Sequence, residues 1–553
     1  MPNAKKNSWR RSPPISALFY PHILPRNQKH WLQDDYVKFI RYAQFELDKT
    51  KLGILGFVTN HSFLDNPTFR GMRASLRNSF PRIHVLDLHG NSKKLERGPD
   101  DTADENVFDI QQGVSIGLLR RTPEIANSKA VAHAHLWGLR GDASKTTHGG
   151  KYGWLSRSSK TSTDWHELSP NAPFYLFVPQ DIDLRSEFEE YWKLTDVMPH
   201  YGAGIITSRD HFVIDFEDAP LLKRLEVFRD RSVSDEWVRS HFEIKDNSMW
   251  SMEEARKAFQ KKPIQNELFI DVLYRPYDRR RIYFETNVVF NMRIQIMRHL
   301  LRKDNLALIT TRQTKEPWSV LVSRDVVAHK ATALYDVSSV FPLFLQDEDN
   351  RLSFDKKRRP NLSPLFTPAL RKQLGSAAAD LTPEDIFHYA YAVFHSPGYR
   401  SRYAEFLKID FPRLPLTGNL ELFRALARLG GELTALHLLE SPKLDQPITE
   451  FIGGHHFEVE KISWSRKTVW VDKTQTTGFR GVREDVWNFH IGGYQVCEKW
   501  LKDRKGRELT KDDLAHYHKI VVALTETIRL MAEIDVVIDK HGGWPGAFVS
   551  TQK

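Results

Sequence analysis

Gly53-Ile-Leu-Gly-Phe-Val-Thr-Asn-His-Ser-Phe-Leu-Asp-Asn-Pro-Thr-Phe-Arg-Gly-Met-Arg73 is the stretch that decides the fold class of this chain. Its first seven residues form an apolar, β-rich run of buried-strand length. Turn-forming residues follow, and Thr68 to Phe80 reads as a helix. Upstream, Val37, Ile40, Ala43 and Leu47 recur at three- and four-residue spacing, which predicts an amphipathic helix from Asp34 to Leu47. Downstream, Ile83-His-Val-Leu-Asp87 and Val114-Ser-Ile-Gly-Leu-Leu119 read as two further short strands. The alternation implies part of an α/β sheet rather than a whole one.

The rest of the chain divides by composition. Residues 1–30 carry Pro13-Pro14, Pro21 and Pro25 with little periodicity, and read as irregular. The partial sheet is expected over 31–172, with a Ser/Thr/Asn-rich connector from Trp154 to Pro173. A second, mixed α+β domain is expected over 173–346, opening at Phe174-Tyr-Leu-Phe-Val-Pro179. Asp347 to Pro364 is charged and polar, a surface linker at the head of a helix-rich part that runs over 347–553. There Thr382-Pro-Glu-Asp385 and Thr510-Lys-Asp-Asp513 are capping boxes, each opening a helix. Between them Lys467-Thr-Val-Trp-Val471 is strand-like.

Composition narrows the class. Of 553 residues, 41% are apolar and 27% charged, ordinary values for a globular chain. No apolar run is long enough to span a bilayer, and the basic N-terminus has no apolar segment behind it, so a cytoplasmic protein is expected. One cysteine, Cys497, excludes an internal disulfide and a multi-cysteine zinc site. The net charge of +10 is concentrated: Asp271 to Lys330 holds twelve Lys/Arg against six Asp/Glu. Such a stripe suits a phosphate backbone, because each neutralised phosphate releases counterions, and it equally suits a solvated basic surface.

Within the stripe, Tyr274-Arg-Pro-Tyr-Asp-Arg-Arg-Arg-Ile-Tyr-Phe284 concentrates the relevant chemistry. Arg275, Arg279, Arg280 and Arg281 supply forked donors suited to phosphate oxygens and to guanine O6/N7. Tyr277 and Tyr283 could pack beside a nucleic-acid backbone, and Asp278 could accept from cytosine or pin an arginine. The other reading is a surface β-hairpin with ordinary salt bridges. Thr310-Thr-Arg-Gln-Thr-Lys-Glu-Pro-Trp318 reads as a loop offering Arg312, Gln313 and Lys315 to DNA. Arg293 and Arg298 fit a helix with a solvated face as well. His133 and His135 alternate as strand neighbours and are read as structural, so no metal site is expected. Glu243-Ile-Lys245 matches half of a metal-dependent nuclease motif, a tripeptide common by chance.

The run Gly53–Arg73, together with Ile83-His-Val-Leu-Asp-Leu-His-Gly-Asn-Ser-Lys-Lys94 and Asp104-Glu-Asn-Val-Phe-Asp-Ile-Gln-Gln-Gly-Val114, resembles the back half of an adenine-N6 DNA methyltransferase domain. More narrowly, it resembles the type ISP single-polypeptide restriction–modification enzymes. The Arg275–Tyr283 cluster resembles that family's target-recognition region. The resemblance extends from about Trp31 to Gly546. It implies an incomplete Rossmann-like methyltransferase sheet followed by a specificity region that reads double-stranded DNA. In the resembled fold the end of the first strand opens toward a substrate crevice, so Asn60, His61 and Ser62 could contact the target base or its sugar; the other reading is loop capping and turn chemistry. Arg70 and Arg73 on the next helix could meet phosphates or merely solvent.

The departures from that family are as informative. G-x-x-x-x-G-K-S/T is absent, and so is a Gly-rich loop for S-adenosylmethionine. The catalytic tetrapeptide Asn/Asp-Pro-Pro-Tyr/Phe is absent too, and Asp65-Asn-Pro-Thr-Phe69 imitates it without the second proline. Adenine methylation needs those groups to accept hydrogen bonds from the amino nitrogen and to stack on the flipped base. The chain is therefore expected to bind no cofactor alone and to carry no catalytic residue. S-adenosylmethionine belongs to the complete enzyme, and a separately encoded N-terminal half is a candidate partner. The competing classes are a stand-alone DNA-binding or interaction protein and, more weakly, a nuclease using Glu243 and Lys245.

Overall fold

The computed structural model describes residues 32–548, apart from 93–95, 101, 123–128, 142–148, 173, 180, 248, 302–303, 347–357 and 455–457. The irregular segment expected at 1–30 and residues 347–357 of the expected linker lie outside the described residues. The chain divides into two compact units, Met1–Arg185 and Ser186–Lys553.

The first unit is built as its periodicity predicts. Helix α1 (Asp35–Thr50) leads into strand β1 (Gly53–Asn60), and helix α2 (Arg70–Ser79) follows. Strands β2 (Arg82–Asp87), β3 (Val114–Arg121) and β4 (Ala130–His135) come next. The Trp154–Pro173 segment, expected to be a connector, holds the end of helix α3 (Gly150–Arg157) and a fifth strand, β5 (His166–Leu168). That strand escaped detection because three residues show no period. The sheet order is β1-β3-β2-β4-β5. β3 runs antiparallel to both β1 and β2, while β2 and β4 are parallel and bring Asp87 level with His135.

Val37 and Ile40 of α1 and Met72 and Leu76 of α2 are buried against Leu55, Ile83, Val85, Leu119 and Val131 of the sheet. For α1 this is the apolar stripe that the spacing of Val37 and Ile40 foretold. Phe174–Pro179 does not form a strand. Phe177 enters the same core against Phe63, ring centroids 6.4 Å apart, and its N–H donates to the Leu64 carbonyl at 2.9 Å. The other side of β1 is bare: Ile54 and Val58 are exposed, as is Leu52 just before the strand, and β1 is an end strand of the sheet among the described residues.

The second unit is mixed. Strands β6 (Gly202–Ala203) and β7 (Ile214–Asp215) and helix α4 (Asp218–Arg229) precede a hairpin of β8 (Phe269–Arg275) and β9 (Asp278–Tyr283). Strands β10 (Ala307–Thr311), β11 (Val320–Ser323), β12 (Val326–Val327) and β13 (Ser338–Pro342) complete two four-stranded sheets, ordered β12-β8-β9-β7 and β11-β10-β13-β6. Helices α5 (Pro383–His395), α6 (Leu420–His437) and α7 (Lys511–Lys540) pack together further on. Both capping boxes are formed, Thr382 with Asp385 and Thr510 with Asp513. A buried polar chain crosses the bundle: His437 bonds Tyr391 Oη at 2.5 Å through Nδ1 and Thr527 Oγ1 at 2.9 Å through Nε2. Burial, with the charge of Arg400 adding to it, pushes the His437 imidazole down to about 3. No helix among the described residues is long and apolar enough to cross a membrane.

Candidate nucleic-acid interface

The arginine run is held by its own fold. At the β8–β9 turn Tyr277 adopts φ 58° and is buried, and the register shifts between Asp278 and Arg279. Asp278 is 1% exposed and receives Arg280 at 2.7 and 2.9 Å through one oxygen and Arg504 at 3.0 Å through the other. Arg280 also meets Asp503 at 3.3 Å and lies over the rings of Tyr274 and Phe216. Arg281 is clamped by Asp218 and Asp271 at 2.7 and 2.6 Å. Arg279 pairs with the buried Asp325 at 2.6 Å, although half of its side chain stays exposed.

Arg275 stacks on Tyr274 at 3.9 Å and donates to that residue's carbonyl. Tyr283 is buried against Phe259 and Phe269. Of this cluster, then, the structure withdraws Tyr277, Asp278 and Tyr283 from the surface. Arg280 and Arg281 face carboxylates, and Arg279 keeps the greatest exposure. Of the five carboxylates that answer the run, Asp271, Asp278 and Asp325 belong to the basic stripe itself, while Asp218 and Asp503 come from outside it, where no local count of residues can show them.

The second run lies open. Residues 312–319 connect β10 to β11, and residues 328–337 lead from β12 into β13. The two loops brace one another. Lys315 N donates to Asp336 at 3.2 Å, Leu334 N donates to Glu316 at 3.0 Å, and Lys330 Nζ holds the carbonyls of Tyr335 and Asp336 at 2.6 and 2.8 Å. Burial pushes the Glu316 and Asp336 carboxyls above their ordinary range. On the outer side, Lys315 is exposed and Gln313 half-buried, and Arg312 is exposed beside Asp410 at 3.4 Å. Leu334, Tyr335 and Val337 are exposed apolar neighbours in the same loop pair.

In the first unit, Asn60 Oδ1 accepts from Ser62 N at 2.8 Å and caps a short turn. Ser62 and Arg70 are half-buried. Arg73 is not at the surface. It is wholly buried and donates to the carbonyls of Phe63, Asn66, Phe174 and Tyr175 at 2.7–3.0 Å, which fixes two loops. Asn66 caps its own turn through Thr68 N at 2.9 Å, so Asp65–Phe69 is turn chemistry.

His61 is buried and bonds Asp87 at 3.0 Å through Nδ1. Burial pushes the Asp87 carboxyl up, but the His61 bond, the charges of His61 and His89 and the His89 N–H outweigh it and hold the group well below the usual range. Around this pair stand His89, Asn91, Glu96 and His135, none of them expected from the sequence as site residues. Their separation in sequence hid them, and only the level ends of β1, β2 and β4 bring them together. Beside them an open cavity of about 540 Å³ is lined by Gly90, Asp104, Asn106, Phe108 and Arg140. Of the lining residues, Asp104 has a wholly buried side chain paired with Lys151 at 2.7 Å. Glu243 and Lys245 sit exposed in a turn, and the group of three metal-ligating residues found among the described residues includes neither.

No curated protein matches the chain. Among solved structures, the DrdV–DNA complex determined by cryo-electron microscopy superposes with a TM-score of 0.70 at 21% identity, covering 94% of this chain and 54% of that one. A nuclease-deletion mutant of the type ISP restriction–modification enzyme LlaGI, in complex with a DNA substrate mimic, gives 0.68 at 18%, covering 94% and 42%. The ATP-dependent type ISP restriction–modification enzyme LlaBIII, bound to DNA, gives 0.70 at 18%, covering 94% and 35%. These likenesses establish the fold alone, a mixed α/β architecture with several small sheets, and this chain spans about half or less of each. The family model described as the type ISP C-terminal specificity domain matches residues 196–533. The chain belongs to the type ISP C-terminal specificity domain family.

Proposed function

We propose that this chain reads DNA sequence for N6-adenine methylation within a type ISP restriction–modification system. The observation that carries the reading is the family match over 196–533, which contains the braced loops bearing Arg312, Gln313 and Lys315. Their exposed cations suit phosphates, and the amide and guanidinium suit base edges. Arg279 is the member of the arginine run best placed to join them. The methyl donor S-adenosylmethionine and the catalytic tetrapeptide belong to a front half of the methyltransferase. That half completes the sheet along β1, where Ile54 and Val58 leave an apolar face uncovered. Asn60 and Ser62, at the end of β1, lie on the substrate side of that completed sheet.

The test is selection of bound duplexes from a random pool, with affinity followed against salt. Enrichment of one short asymmetric site with a steep salt slope supports sequence reading. Binding without enrichment would reduce the chain to a basic DNA-binding surface. No binding at all would overturn the proposal for the isolated chain.

A further inference from the structure

The ends of β1 and β2 converge on an arrangement that DNA reading does not require. His61 stands in the turn that follows β1, His89 two residues beyond the end of β2, and Glu96 in the loop after it. One ligand atom from each lies within 4.8 Å of the others. His89 Nδ1 and Glu96 Oε1 are already 3.0 Å apart. A tetrahedral ion bound at about 2.0–2.2 Å holds its ligands roughly 3.3–3.6 Å from one another, so the cluster needs small side-chain adjustments and no backbone change.

We propose that His61, His89 and Glu96 form a binding site for a divalent transition-metal ion, with zinc the best match. Two imidazoles and one carboxylate are a donor set that zinc accepts, and imidazole nitrogen disfavours magnesium and calcium. The surroundings are built for the role. Asp87 takes His61 Nδ1 at 3.0 Å, which fixes the ring and presents Nε2, the arrangement in which a carboxylate orients a metal-bound histidine. Asn91 stands 3.4 Å from His61 Nε2 through its amide, and turning that amide over would present oxygen as a fourth ligand. Its backbone N–H holds the second Glu96 oxygen at 2.9 Å, so the carboxylate is aimed before any ion arrives.

Behind the cluster, His135 Nδ1 meets His89 Nε2 at 2.8 Å, and Trp137 stacks on the His89 ring. Gly113 leaves the His61 ring its space, since a Cβ there would fall 2.3 Å from Cε1. An ion in this place ties the turn after β1 to the loop after β2. It needs neither DNA nor methyl donor, so the proposal stands apart from the functional reading above.

The experiment uses the full chain stripped with chelator, with zinc titrated by calorimetry and cobalt(II) added as a spectroscopic probe. One equivalent of saturable zinc, strong visible cobalt bands of a four-coordinate centre and a zinc-dependent rise in melting temperature are expected. Glu96→Gln keeps size and polarity, and it is expected to lower zinc affinity at least about tenfold. His89→Gln is expected to do the same, while His541→Gln leaves it unchanged. Absence of saturable zinc binding by the unaltered chain would overturn the proposal. So would binding that both site variants leave intact, since the ion would then sit elsewhere.

Discussion

Arg504 reaches Asp278 across 226 residues of chain, Nη2 to Oδ1 at 3.0 Å, with both side chains buried. The pair joins the β8–β9 hairpin to the C-terminal part of the second unit. The same carboxylate also takes Arg280 of the hairpin at 2.7 and 2.9 Å, so that arginine contributes less surface charge than composition suggests. A guanidinium spent on an internal carboxylate has little left for phosphate.

Removing one partner of a buried pair takes a bond from the other. Asp278→Ala takes the closest carboxylate from Arg504 and Arg280, leaving them Asp513 and Asp503 at 3.3 Å, and is expected to destabilise the second unit by about 1–3 kcal/mol. The midpoint of a denaturant titration, followed by circular dichroism, checks this. An unchanged midpoint would mean that water replaces the carboxylate.

Salt dependence separates structural arginines from contact residues. Lys315→Ala is expected to weaken duplex binding uniformly across sequences and to lower the salt slope by about 1. Arg281→Ala is expected to lower the melting temperature and leave that slope unchanged, since its guanidinium serves Asp218 and Asp271. The reverse pattern would move the interface to the hairpin.

Arg73 offers a stability test that charge alone cannot pass. Arg73→Lys keeps the cation but cannot span four carbonyls, and each buried acceptor left unsatisfied costs about 1–3 kcal/mol. The variant is expected to be cleaved readily around Phe174–Tyr175 in limited proteolysis. Equal protection in both proteins would refute that role.

Acid should loosen the helical bundle early. The folded state keeps His437 neutral down to about 3, whereas an unfolded chain protonates its histidines near pH 6.5. The unfolded state therefore binds more protons in that window, so stability is full above about pH 6.5 and is lost as pH falls toward 3. The slope for this group is about 1.4 kcal/mol per pH unit. His437→Gln is expected to flatten the dependence of the unfolding midpoint between pH 6 and 4.

Periodicity made the first unit legible. The spacing of Val37, Ile40, Ala43 and Leu47 and the apolar run from Gly53 placed α1 and β1 within a few residues, because one buried face repeats. The capping boxes at Thr382 and Thr510 were legible for a similar reason, their chemistry being local. The three-residue β5 and the Phe174–Pro179 run were not, since one is too short for a period and the other is apolar without being a strand. The candidate interface divides the same way. Composition marked the Arg275–Tyr283 and Arg312–Lys315 runs, but which cations face solvent depends on Asp218, Asp325, Asp410 and Asp503. Each of those lies beyond the reach of a local pattern.

Arg73 also decides where this chain can be divided. Composition invites a cut near residue 172, yet Phe177 and the two carbonyls at 174 and 175 lie beyond it. A fragment ending there would forfeit part of its core and strand a guanidinium in a dry interior. The first unit runs on to Arg185, past the loop that arginine holds, so a viable fragment must carry that loop and Phe177.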